Sequence, residues 1–414
     1  MWIILVSAVF AGVPTEDVRW DIAVRGPVAE AIVTQRFEGP RSAGQRGEYV
    51  FALPHQGVVD DMTMVIGDTV IQSVLRESRH ARQEYEVAAR DGQIAGLTTQ
   101  VAGGVFRQEL SNIPVGQDIE VQLRVLWPVT RVDGQYELVI PTDVAPRFGG
   151  FDDHPSLAPE STTYPLHIGV DVQAGFNMTA VHSPTHEQAD ITVRGSHAGL
   201  SWQGTGSYGD MVLRWQNSTG ATQAAAITNG DHSLLVMEGP APTSTDAGAI
   251  EWVIILDTSG SMSGTPWRRA MGLIDKLLAQ VGPEDTVGLL TFGQSIQHVA
   301  PVGGEEGIRR VRFHLGPMGP NGGTLLPRAL SAAVALPHDG AMRRVMVLIT
   351  DGLVTDEDGS LTALASAGLR ADLSIVGVNA SPNRVLLNRL AVAANGTSAY
   401  YLPGDTASSV AHRV

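Results

Sequence analysis

Apolar and polar residues follow three different rhythms along this chain. From Val18 to about Arg147, short runs alternate the two classes, as in DIAVRGPVAEAIVTQRF, EYVFALP and MTMVIGDTVIQSVL. Such alternation predicts strands with one face in a core. ESRHARQEYEVAAR, Glu77 to Arg90, breaks the pattern and predicts a helix supported by the Glu86 and Arg90 pair, stopping at Asp91-Gly92. VFRQELSNIP, IEVQLRVLWPV and YELVIP then read as three more strands. GGFDDHPSLAPESTT is a polar, Pro-bearing linker. Beyond it YPLHIGVDVQAG, ITVRGSHAGLSWQG, MVLRWQ and AAAITNGDHSLLVMEGP alternate again, predicting a small β-sandwich, and APTSTDAG forms a second linker.

The rhythm changes at Ile250. Val253 to Leu256 and Val345 to Thr350 are continuous apolar runs, the mark of strands buried on both faces of a parallel sheet. Between and after them lie helical patterns. Thr265 and Pro266 open a helix whose apolar face is Ala270, Ile274, Leu277, Leu278 and Val281, ended by Gly282-Pro283. DTVGLLTF is a second buried strand and QSIQHVAPV an edge partner. Glu305 to Leu315 and Leu325 to Leu336 read as helices, the second with Thr324 as a candidate cap. ADLSIVGV, NRVLLNRLAVAANG and AYYLP give strand, helix and strand. Alternating strands and helices predict a doubly wound parallel α/β sheet.

Composition changes this picture in three ways. The 414 residues suffice for about three domains. The net charge of −15 disfavours nucleic acid and anionic lipid, and no basic patch offsets it. The absence of cysteine excludes disulfides, thiolate metal sites and cysteine nucleophiles, and favours a bacterial envelope or an intracellular setting. Lys276 is the sole lysine, and the arginine bias with abundant Ala and Gly points to a GC-rich bacterial source. MWIILVSAVFAGVP reads as an export signal cut after Ala11 or, since no basic residue precedes its apolar core, as a buried strand. Export predicts a periplasmic, surface or secreted location; the other reading predicts the cytoplasm. No other stretch is long and apolar enough to span a bilayer.

Candidate chemistry concentrates in EWVIILDTSGSMSG, Glu251 to Gly264. Asp257 ends a buried strand, and ligands in open α/β sheets sit at the carboxyl ends of strands. Asp257, Ser259 and Ser261 offer hard oxygen donors on a glycine-bearing loop, a composition suited to Mg²⁺, Mn²⁺ or Ca²⁺. Two further oxygen donors stand apart in sequence: Thr324 in GPNGGT and Asp351 in VMVLITDG. Three enzyme motifs fail. A haloacid-dehalogenase phosphatase needs an Asp where Ser259 stands, an aspartic protease needs a Gly there, and the serine-hydrolase elbow has Met262 at its centre. His182 and His186 are four apart, but Pro184 denies them one helical face and no third ligand is near, so they read as solvated loop residues. Asp356-Glu357-Asp358-Gly359 fails the EF-hand template and reads as negative charge at a helix start. Asn177, Asn217 and Asn395 begin N-x-S/T sequons.

D-x-S-x-S after a buried strand, with Thr324 and Asp351 at later positions, resembles the metal-ion-dependent adhesion site of von Willebrand factor type A (VWA) domains. YVFALP, ARQEYEVAARDGQIAGL, VFRQELSNIPVGQDIEV and YELVIPTDVAPRF, with Ala81, Tyr85, Ala88, Gly92 and Leu97, resemble the vault protein inter-alpha-trypsin (VIT) domain. The organisation expected is a signal segment at 1–13, a β-rich VIT domain at 14–147, a β-sandwich and linker at 148–249, and a doubly wound, Rossmann-like VWA domain at 250–414. The resemblance implies that Asp257, Ser259, Ser261, Thr324 and Asp351 hold a divalent cation, Mg²⁺ or else Mn²⁺ or Ca²⁺. They supply at most five positions, so one is left for an Asp or Glu carboxylate of a protein partner. A non-enzymatic adhesion or protein-binding role follows, with no nucleic-acid partner and no transmembrane span. The alternatives are an intracellular scaffold recruiting partners to a larger assembly and, further off, a metallohydrolase, for which no base or nucleophile is evident. Inter-alpha-trypsin heavy chains carry an Asp-Pro for hyaluronan coupling. This chain has no Asp-Pro, so that chemistry is not implied.

Overall fold

The computed structural model describes residues 15–42, 47–102, 104–132, 134–142, 164–205, 209–217, 222–229, 231–239, 248–338, 340–354, 356–367, 372–379 and 382–414. The candidate export signal and both linkers lie outside these residues, Gly248 at the end of APTSTDAG apart. The described residues fall into two units, 15–239 and 248–414.

In the first unit the alternating segments become strands β1 (Thr15–Arg25), β2 (Val28–Phe37), β3 (Gly47–Ala52), β4 (Val58–Ile66) and β5 (Thr69–Gln72). Helix α1 (Ser78–Arg90) follows, then β6 (Ala95–Ala102), β7 (Val105–Ser111), β8 (Ile119–Pro128), β9 (Thr130–Val132) and β10 (Gln135–Ile140). Later come β11 (Pro165–Gln173), β12 (Met178–His182), β13 (Asp190–Arg194), β14 (His197–Thr205), β15 (Met211–Asn217), β16 (Gln223–Asn229) and β17 (His232–Glu238). Helix α1 is opened by the Glu77 carboxylate, which accepts from the Arg79 and His80 amides, and it buries Tyr85. The Arg90 Nε donates to the Glu86 carbonyl instead of to its carboxylate.

Strand pairing differs from the expected division at residue 147. The eight-stranded sheet runs β13-β14-β11-β1-β2-β8-β4-β5, with β11 parallel to β1 through Val18 to Arg25. A second sheet runs β12-β15-β10-β9. Strands from the stretch 148–249 thus complete both sheets begun before residue 147. One continuous core results, lined by Trp20, Ile22, Val33, Leu123, Trp127, Ile168, Leu213 and Trp215. Alternation specifies which face of a strand is buried but leaves its neighbour open, because any strand with a matching apolar face can complete the sheet.

His186 also departs from the solvated loop expected of it. It is buried, its ring edge-on to Trp202 with centroids 4.7 Å apart. Burial lowers its pKa to about 4. The unfolded chain takes up this proton near pH 6.5, the folded chain only near pH 4, so stability present above 6.5 is lost as pH falls toward 4. Urea titrations at pH 7, 5.5 and 4.5 should show this loss in the wild type and a flatter profile in His186→Gln. A profile of equal slope in both would remove His186 as its source.

The second unit contains β18 (Ile250–Asp257), α2 (Thr265–Leu278), β19 (Thr286–Phe292), β20 (Ile296–Gly303), α3 (Gly304–Leu315), α4 (Leu326–Val334) and β21 (Arg343–Thr350). It closes with α5 (Glu357–Ala367), β22 (Asp372–Gly377), α6 (Arg384–Ala393), β23 (Ser398–Tyr400) and α7 (Ala407–Ala411). Strand order is β20-β19-β18-β21-β22-β23, all parallel except the edge strand β20. Trp252, Ile254, Leu256, Leu273, Leu277, Val347 and Ile349 belong to its core. The Asp285 carboxylate fixes the start of β18, accepting from the Ile250 amide at 2.8 Å, the Trp252 indole at 3.2 Å and the Gly282 amide at 2.9 Å. Burial pushes the pKa of Asp285 up, but these donors outweigh it and hold it below the ordinary value.

Candidate metal centre

The chain leaves β18 toward β19 on one side and later reaches β21 on the other, so the strand order reverses between β18 and β21. A crevice opens at such a reversal, beyond the carboxyl ends of the strands. Asp257 ends β18 and Asp351 directly follows β21. Both carboxylates are wholly buried.

Local hydrogen bonds set each group. The Ser259 amide donates to Asp257 Oδ1 at 2.8 Å and the Thr350 hydroxyl to Asp257 Oδ2 at 2.6 Å. The Ser259 and Ser261 hydroxyls stand 3.0 Å apart, and a short 3-10 turn, Gly260–Met262, anchors the loop by burying Met262. Asp351 Oδ1 accepts from the Leu353 amide at 3.0 Å, but Asp351 Oδ2 is buried with no hydrogen bond. Burial raises the pKa of both acids, and the charge of Asp351 raises that of Asp257 further. The Leu353 amide and the Ser261 hydroxyl act in the opposite direction on Asp351.

The glycine-rich loop is stitched to this site through backbone. The Asn321 amide donates to the Thr258 carbonyl at 2.7 Å and the Gly260 amide to the Gly322 carbonyl at 2.9 Å. Gly322 has φ +81°, and a Cβ there would fall 1.9 Å from Gln294 Cγ, so the loop needs this glycine. Thr324 follows two residues on, half-buried, its hydroxyl without a hydrogen-bond partner among the described residues. Thr324 does not cap α4, and Thr265 does not cap α2: the cap positions are Leu325 and Gly264, neither with a side-chain bond. Pro327 and Pro266 occupy the first turns, where each removes one N–H that a cap would otherwise satisfy.

The structure therefore brings Asp257, Ser259, Ser261 and Asp351 to one crevice and ties the loop carrying Thr324 to its rim. Sequence reasoning missed Thr350, whose hydroxyl holds Asp257 while accepting from the Gly352 amide at 3.0 Å. Its position at a strand end, next to an acid, was the available signal. Asp356 accepts from the Gly359 amide and starts α5, in keeping with its reading as a helix-start acid. Among the described residues no group of three or more His, Cys, Asp and Glu could hold a metal. A cation at this crevice would thus depend on hydroxyls beside two carboxylates, a hard-donor set suited to Mg²⁺ or Mn²⁺.

Known proteins fall in with both halves of this description. Residues 15–125 match the vault protein inter-alpha-trypsin domain and residues 252–353 the von Willebrand factor type A domain. The chain is a multidomain protein with a β-rich VIT region followed by a VWA α/β domain. A von Willebrand factor A domain-containing protein of Dictyostelium discoideum is 21% identical, over 88% of this chain and 41% of its own length. Inter alpha-trypsin inhibitor, heavy chain 4, of Mus musculus is 23% identical, over 82% of this chain and 38% of its own. The chain thus spans about two fifths of these relatives. Among solved structures, a von Willebrand factor type A protein from Catenulispora acidiphila is 15% identical, with 61% of this chain and 49% of that one covered and a TM-score of 0.36. A VWA domain points to a protein-binding or adhesion type of function, and VWA domains commonly bind a metal ion. Among the described residues no helix is long and apolar enough to cross a membrane.

Proposed function

We propose that this chain is a divalent-cation-dependent protein-binding or adhesion protein and not an enzyme. Asp257, Ser259, Ser261, Thr324 and Asp351 would hold Mg²⁺, with Mn²⁺ or Ca²⁺ as substitutes, and a partner's Asp or Glu carboxylate would complete the set. The observation that carries the reading is Asp351 Oδ2, buried and unbonded beside a second buried carboxylate. A buried carboxylate with one oxygen left unbonded is costly, and a cation is the group that satisfies two acids at once. The metal would supply positive charge at a fixed point. The chain's own residues do the rest: Thr350 and the Ser259 amide orient Asp257, and the Leu353 amide orients Asp351.

Calorimetric titration of chelator-treated protein with Mg²⁺ and with Mn²⁺ should show one saturable site. Thr324→Val keeps the shape and removes one oxygen, so it should weaken that site about ten-fold or more, as loss of a hydrogen-bonded or ligating group of ~1.4 kcal/mol would. Absence of saturable binding in the wild type would sink the reading.

A further inference from the structure

Beside the proposed metal site lies a groove of about 840 Å³. One wall is the turn Gln294 to Ile296 between β19 and β20, a second is the first turn of α4 from Leu325 to Arg328, and Thr362 and Ala363 of α5 form the third. The groove and the site share structure. Gln294 packs over Gly322 of the glycine-rich loop, and Leu325 directly follows Thr324. Its described lining holds one cation, Arg328, and no acid. Arg328 is exposed and has neither an ion pair nor a hydrogen bond among the described residues.

In this unit Arg309, Arg310, Arg312, Arg343, Arg344 and Arg413 reach a carboxylate, whereas Arg328 and Arg389 are exposed and unpaired among the described residues, and of these two Arg328 lines the groove. On α5 the Glu357 carboxylate accepts from the Asn383 side-chain amide, and the exposed Asp358 makes no ion pair with Arg328. Arg328 is thus left to a group from outside.

We propose that this groove receives the segment of the protein partner that flanks the metal-bound carboxylate, and that Arg328 selects a second acidic residue on that segment. This rests on the reading of the metal site given above. Arg328, in the first turn of α4, stands four residues after Thr324, so the chain sets the two at most about 14 Å apart. An extended peptide advances about 3.3 Å per residue, so with the reach of the guanidinium the two acids would be roughly two to four residues apart. Apolar Ile296, Leu325 and Pro327 line the path between, suiting small or apolar residues there.

The test uses two labelled peptides and the full chain in excess Mg²⁺ at 0.1 M salt, read by fluorescence anisotropy. One peptide, GSGSGDGSGSGS, carries a single Asp; the other, GSGSGDGSDSGS, carries a second Asp three residues on. Wild-type protein should bind the two-acid peptide about two- to five-fold more tightly, the range of an exposed ion pair. Arg328→Gln should erase that ratio with the one-acid affinity unchanged, and Arg328→Glu should invert it. Equal binding of both peptides by the wild type, or an equal loss for both in Arg328→Gln, would overturn the role of Arg328 while leaving the metal site standing. Failure of the one-acid peptide to bind in Mg²⁺, or binding unaffected by chelator, would overturn the metal reading and this inference with it.

Discussion

Asp257→Asn should make the chelated protein more stable while abolishing its Mg²⁺ binding. Two carboxylates, Asp257 and Asp351, are buried together, and burial followed by their mutual repulsion raises the pKa of Asp257. The hydrogen bonds from Ser259 and Thr350 offset only part of this cost. Asparagine keeps an oxygen for the Ser259 amide and removes the charge. The Thr350 hydroxyl can then accept from the new amide. Relief of an uncompensated buried charge is expected to stabilise by about 1–3 kcal/mol. For a unit of this size that raises the melting temperature by about 2–4 °C per kcal/mol. Added Mg²⁺ should raise the wild-type melting temperature further by mass action and leave the variant unmoved. A variant less stable than the wild type in chelator would mean that the protein's own donors satisfy Asp257, and that its carboxylate is structural.

The residues behind this prediction were legible for a physical reason. A strand buried on both faces must be a continuous apolar run, so Val253 to Leu256 and Val345 to Thr350 announced their place in the sheet, and their ends announced the crevice. Asp257 then followed from its position, and Asp351 from the resemblance to the type A motif, which calls for an acid after a later strand. Thr324 was legible through the same resemblance, as the Thr of a glycine-rich loop, and the structure adds why the glycine is needed: Gly322 lets the loop pass Gln294. Less could be read where one residue's role depends on a distant one. The parallel pairing of β1 with β11 joins residues far apart in sequence, and nothing in either strand's alternation names the other. His186 looked like a loop residue because its burial comes from Trp202 on β14. Thr350 looked like the tail of a strand because its partner, Asp257, lies on another.

Arg344→Met should cost about 3–5 kcal/mol, although Arg344 lies at the opposite ends of these strands from the metal site. Glu251 on β18 and Arg344 on β21 face each other in register, both almost fully buried. The guanidinium grips the carboxylate with two bonds, Nε to Oε2 at 3.0 Å and Nη2 to Oε1 at 2.7 Å, and donates to the carbonyls of Leu336 and Pro337. His338 Nδ1 approaches Glu251 Oε2 at 2.6 Å. Removing Arg344 leaves the Glu251 carboxylate buried with only His338 beside it, which is where the cost arises. The pair itself need not stabilise, because desolvation offsets its attraction. Glu251→Met combined with Arg344→Met should therefore recover most of the loss seen in either single variant. The carbonyl-bearing Leu336 and Pro337 are half-buried and exposed, within reach of water once Arg344 is gone. Denaturant titration of the four proteins completes the cycle. Recovery in the double variant would leave the pair a second role, fixing how β18 sits against β21. Apolar parallel runs set their own register weakly, and a one-residue slip would separate Asp257 from Asp351. The double variant, refolded, should then bind Mg²⁺ more weakly than the wild type despite near-normal stability. If affinity is unchanged, the apolar packing of the two strands sets the register unaided. If the double variant is as unstable as either single one, the ion pair is a net stabiliser of this sheet.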